Sequence, residues 1–173
     1  MSRQRMRGVY VVEFAIIGLL LFTLLFGVLE MGRLYFTVNA LDEVVRRGAR
    51  LAAVCDPSDP LEVEKILRRA IFNDIDDPGP STLIGSLETG HLTLDYLDEN
   101  GAKVANPGDT GFSSIRYVQF SINDPDPLST KKKFTFNLLI PGFSGGFILP
   151  TFRSTIPRES LGRHAESTEI TPC

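Results

Sequence analysis

The sequence predicts an α+β protein: a long N-terminal transmembrane/amphipathic helix, with a second short helix and a small antiparallel β-sheet packed on its C-terminal half. Three observations predict it. From Val9 to Leu29 nearly every side chain is apolar. From Leu34 to Ala52 apolar residues return at helical spacing with charges between them, and from Leu92 onward short stretches alternate apolar and polar residues between Gly, Pro and Asn turns. At 173 residues and 43% hydrophobic content, the chain suits one domain with an appended helix.

The Val9–Leu29 run is long enough to cross a bilayer core, which takes about 20 residues at 1.5 Å each. It outlasts the apolar core of a signal peptide, and no small-residue cleavage pattern follows it. Arg3, Arg5 and Arg7 precede it without an acid, so the positive-inside rule keeps the short leader in the cytoplasm and sends the remainder across. The net charge is −3, and without those three arginines the exported part is about six units negative, which disfavours a nucleic-acid partner.

Beyond the run, Leu34, Val38, Leu41, Val45, Ala49 and Ala52 form one stripe, while Asp42, Glu43, Arg46, Arg47 and Arg50 take the other faces. Asp42 with Arg46, and Glu43 with Arg47, are spaced for i,i+4 ion pairs. One helix over Val9–Val54, on the order of 70 Å long, is expected. Its first half would lie in lipid and its second would carry the globular part.

Glu13 is the exception within the apolar run. An intramembrane acid is a functional-site candidate that needs a partner. Cleavage between Gly8 and Val9 would supply one, because the new ammonium of Val9 would lie four residues, about one helical turn, from Glu13. Gly18 and Gly27 either permit close helix approach or local melting, or are simply glycines that a membrane helix tolerates.

Gly8-Val9-Tyr10-Val11-Val12-Glu13-Phe14 resembles the type IV prepilin processing site, which is a glycine, four residues, then glutamate and an apolar residue, after a short basic leader. More narrowly, Glu13-Phe14-Ala15, Phe26-Gly27, Glu30-Met31-Gly32-Arg33, Ala40 and Arg47-Gly48-Ala49-Arg50 are similar to the opening of TadE-like proteins, the minor pilins or pseudopilins of tight-adherence (type IVc) systems. The resemblance covers about the first 54 residues. It implies cleavage after Gly8 by a prepilin peptidase, with Glu13 and Phe14 acting in assembly and Glu13 neutralising a neighbouring subunit's amino terminus. It implies as partners that peptidase, the major and other minor pilins, an inner-membrane assembly platform and the lipid bilayer; no cofactor and no enzymatic activity are expected, because the sequence carries no P-loop, zinc motif or nucleotide fingerprint and no second catalytic motif. The organisation that follows is a leader over 1–8, a transmembrane and assembly helix over 9–32, a stem over 33–54, a periplasmic α+β domain over 55–162 and a polar tail over 163–173.

Within that domain, Asp59 as N-cap, Pro60 and Glu62 mark the start of a second helix that ends near Asp74. Leu92–Ala105 reads as a hairpin about Asn100-Gly101. Val118, Phe120 and Ile122 mark a third strand, Phe134, Phe136, Leu138 and Ile140 a fourth, and Ile148–Ile156 a fifth despite Pro150. The two cysteines, Cys55 and Cys173, are either one disulfide or two unrelated thiols.

Competing motifs are weaker. Gly142–Gly146 fits G-x-S-x-G around Ser144, with His91 or His164 as a base, but the residues that follow look extended where a nucleophile elbow needs a helix. The acidic loops at 73–77 and 123–127 lack the EF-hand spacing and read as solvated turns. Lys131–Lys133 reads as an exposed strand edge. The expected protein is a single-pass inner-membrane subunit of a pilus or secretion apparatus, with a cytoplasmic amino terminus and a periplasmic domain. The alternative is a bitopic protein whose uncleaved anchor carries a periplasmic binding domain.

Overall fold

An unbroken helix, α1 (Arg3–Val54), runs through both the apolar stretch and the stem. The computed structural model describes residues 3–124, 126, 131–139, 145–163 and 170, with side chains described from Gly8 onward. No proline interrupts α1, and its residues are mostly good helix formers. It begins nearer the amino terminus than the apolar pattern alone required.

The two halves of α1 have different surroundings. From Val9 to Leu29 its side chains are exposed almost throughout, whereas Leu41, Val44, Val45, Ala49, Ala52 and Ala53 are completely buried. Leu34 and Val38 are partly buried against the same core, so the expected stripe is the one the domain covers. Asp42 and Arg46 form the expected ion pair. Arg47 does not take its expected partner Glu43: its guanidinium lies over the Phe72 ring, 5.1 Å from the centroid, because the chain returning after the second helix brings an aromatic face within reach.

The second helix, α2 (Pro60–Ala70), starts where the sequence placed it, with Asp59 accepting the Leu61 N–H at 2.8 Å. Glu62 pairs with Lys65 at 2.6 Å. The helix stops earlier than expected, at Ala70, because Phe72 adopts a positive φ of 66° and the chain turns to seat Ile71 in the core.

Among the described residues the β structure is antiparallel and divides into two sheets. The first has the order β1-β2-β5, from β1 (Leu92–Leu97), β2 (Tyr117–Ile122) and β5 (Phe152–Pro157). The second pairs β3 (Thr135–Asn137) with β4 (Gly146–Ile148). Two expectations need correction here. The Asn100-Gly101 turn is present, with Gly101 at φ 78° and Asp98 accepting the Asn100 and Ala102 N–H groups, but it returns only a single bridge, Leu97 with Lys103. The partner of β1 is β2, which lets Leu92 and Ile122, and Tyr96 and Val118, meet as buried cross-strand pairs. The single fifth strand is in fact two, β4 and β5, because Pro150 lies between them and cannot donate to a ladder.

Asn123 joins the sheets. It is buried at φ 57°, accepts the Phe134 N–H at 2.6 Å, and donates to the carbonyls of Leu149 and Phe134. The loop at 123–127 thus begins with a structural staple, and Asp126 continues it by pairing with Lys103 at 3.3 Å. Asn73 does the same for the other acidic loop, donating to Gly79 and Pro80 carbonyls and accepting the Thr82 N–H.

Candidate functional site

The candidate site is the exposed face of α1 from Gly8 onward. Gly8 has no neighbour within 4 Å that a Cβ would meet, and Val9, Glu13 and Phe14 are exposed. Because α1 is continuous, Val9 and Glu13 stand on one stripe a helical turn apart. Within the chain the nearest charged residue to Glu13 along the helix is Arg7, on the leader side. Gly18 and Gly27 likewise have open space above them, so a second helix could approach closely at either.

The far end of the apolar stretch carries residues that the sequence reading took only as landmarks. Glu30 is buried and ion-paired with Arg33, three residues on. Arg33 also donates to the Asn137 carbonyl and lies over the Phe136 ring, 4.2 Å from its centroid. The Leu139 N–H donates to Glu30 at 3.4 Å. Together these contacts clasp the β3–β4 hairpin to α1 at the first turn beyond the apolar run. The signal was present in the sequence as opposite charges at i,i+3 where the hydrophobic stretch ends.

The stem meets the sheet at Gly48. A Cβ there would lie 2.5–2.7 Å from three ring carbons of Phe120, which is completely buried. A helix interior ordinarily disfavours glycine by about 1 kcal/mol against alanine, so this position trades helix propensity for a helix-to-strand approach that no other residue allows.

Cys55 closes α1. It is completely buried and disulfide-bonded. Cys173, the candidate partner, lies outside the described residues, as do Ser144 and His164. Gly146–Ile148 are strand, where a nucleophile elbow would call for a helix. His91 is buried, its Nδ1 accepts the Glu88 N–H at 2.9 Å, and its ring meets Phe134 edge-on at 5.8 Å. Burial lowers its pKa below the ordinary histidine range, and the Glu88 carbonyl offsets that only in part.

α1 holds the one apolar helix long enough to cross a membrane among the described residues, and none of its most apolar window is buried against the domain. That fits a single-pass membrane anchor.

The TadE-like protein family model matches residues 8–50. The match opens on Gly8, runs through Glu13 and the Glu30–Arg33 pair, and ends two residues past Gly48. The resemblance read from the residues is therefore borne out across the anchor and most of the stem of this TadE-like segment. The sheets and α2 lie beyond it. No curated protein and no solved structure matches the chain.

Proposed function

We propose that this protein is the precursor of a minor pilin or pseudopilin of a tight-adherence (type IVc) pilus, cleaved after Gly8 by a prepilin peptidase. The carrying observation is the lone carboxylate of Glu13, on the exposed face of a continuous apolar helix and one turn from the residue that cleavage would make the amino terminus. The TadE-like match over the same residues supports it.

Before assembly the helix waits in the inner membrane, with the α+β domain on the periplasmic side. On assembly, neighbouring helices replace lipid around Val9–Leu29. In that apolar bundle an unpaired carboxylate is penalised, and the ammonium of a neighbouring subunit's first residue removes the penalty. Glu13 therefore acts as a register and orientation device rather than as a source of bulk affinity. Its partners are the peptidase, the major and other minor pilins, and the assembly platform. No cofactor and no catalytic residue enters this reading.

The test is Glu13→Gln in the native host. Membrane insertion and the level of the protein should be unchanged, because the substitution only makes the run more apolar, while recovery of partner pilins with the tagged protein should fall severalfold. Undiminished recovery of partners would remove the counter-charge role and favour a plain tether carrying a periplasmic binding domain.

A further inference from the structure

The clasp between α1 and β3 fixes the height of the domain above the membrane. Asn137 meets Arg33 and Leu139 meets Glu30, so this stretch of chain descends antiparallel to α1 and delivers Leu139 to the level at which the apolar run ends. With Val9–Leu29 filling a hydrocarbon core of about 30 Å, Glu30 stands at its edge and Arg33 about 5 Å beyond, within the headgroup layer.

The surface that starts at that level with Leu139 and rises along α1 to Phe36, about 9 Å beyond Glu30, is not the polar one expected of a domain standing clear of lipid. Leu139 is 70% exposed, Phe36 51% and Leu83 45%. These three, with Arg33, line a groove of about 350 Å³ between α1, the loop at 83–86 and β3. An exposed apolar patch of this kind marks an interaction surface. Its occupant follows from continuity: the groove begins at Leu139, at the level where the exposed apolar face of α1 ends, and Arg33, its guanidinium held by Glu30 and the Asn137 carbonyl, lies along its wall with its stem on apolar surface.

We propose that the groove formed by Phe36, Leu83, Leu139 and Arg33 is a phospholipid-interface site, by which the base of the domain embeds in the leaflet on its own side of the membrane. This rests on the single-pass anchor reading. Embedding at two places, the helix and the groove, fixes the tilt and rotation of the domain before any partner arrives.

The chain contains no tryptophan, so one substitution introduces a sole reporter. Full-length Leu139→Trp and Leu83→Trp are each reconstituted into vesicles of phosphatidylethanolamine and phosphatidylglycerol, with and without lipids brominated near the headgroup or, in a parallel set, deep in the acyl chain where the anchor control reports. Phe22→Trp reports on the anchor, and Leu61→Trp, 66% exposed at the start of α2, reports on water. The expected result is blue-shifted emission at 139 and 83, with loss of most of it to brominated lipid, and neither effect at 61. Emission at 139 and 83 that matches position 61, while position 22 is quenched, overturns the site and leaves the anchor standing. Blue-shifted emission that brominated lipid does not quench overturns it too, in favour of a second protein surface. Absence of quenching at 22 as well would remove the anchor and the site together.

Discussion

Gly48 and Phe120 show how a single residue fastens the stem of α1 to the sheet. The ring occupies the space that a methyl group would need, and Phe120 is itself walled in by the core, so neither partner can give way cheaply. Gly48→Ala gains about 1 kcal/mol of helix propensity and loses more to overpacking, so a net destabilisation of about 1–2 kcal/mol is expected, read as a melting temperature lowered by several degrees. Phe120→Leu in the same chain should recover part of that loss, because the two positions are in contact and their effects do not add. His91 carries a second prediction. Burial makes the folded protein hold the histidine proton less tightly than the unfolded chain does, so its contribution to stability is complete above the ordinary value of 6.5 and is lost as the pH falls through the lowered folded pKa. Thermal unfolding between about pH 7.5 and about pH 5.5 should show stability falling with acidification, and His91→Gln should flatten that slope. An equal slope in both proteins would assign the dependence to other groups.

At the scale of elements, the carboxyl end of α1 is completed from far along the chain. Glu159 and Leu161 donate their N–H groups to the Ala53 carbonyl, and Gly162 donates to Val54, so carbonyls that a helix end leaves unpaired are satisfied by the segment after β5. Gly162 makes this turn at φ 75°, with Asp56 2.9 Å from where a Cβ would stand. Gly162→Ala should cost about 1–2 kcal/mol and speed amide exchange at Glu159 and Leu161. Unchanged exchange there would mean the cap does not hold the helix end. This closure could not be read from the sequence, because nothing local to Ala53 or Val54 names a donor a hundred residues away. The helices themselves were legible: periodicity gave the buried stripe of α1, and Asp59-Pro60 gave the start of α2. The strands were legible as alternating runs but not as partners. Asn100-Gly101 turns the chain as expected, yet β1 finds a longer apolar match in β2, and that choice is made by burial of Leu92, Val118 and Ile122 in the common core rather than by the turn. Pro150 was visible, and its consequence, the division of one strand into two sheets, depended on Asn123 bridging the gap.

For the whole molecule, the described residues leave one apolar stretch exposed along the first half of α1 and bury another around its second half. The core begins at Leu34 and Val38, above the clasp, and every completely buried apolar side chain among the described residues belongs to the part above it. A chain beginning at Leu29 should therefore stay soluble and unfold cooperatively, and a molten or aggregated product would show that the lower helix supports the fold. Cys55 adds a covalent tie at the helix end, so reduction should lower the melting temperature of the intact protein. The candidate site was legible to an uneven degree. Glu13 stood out because a carboxylate is conspicuous among apolar residues, and Gly8 because of its spacing from Glu13. The Glu30–Arg33 clasp was visible only as a pair of charges, since its meaning depends on Asn137 and Leu139, which folding brings to it. The account as a whole turns on a new positive charge created beside Glu13. The most direct test is the intact mass of the protein extracted from native membranes. Loss of Met1–Gly8, leaving a chain that starts at Val9, is the result predicted; a chain that retains the leader, or lacks Met1 alone, would contradict it.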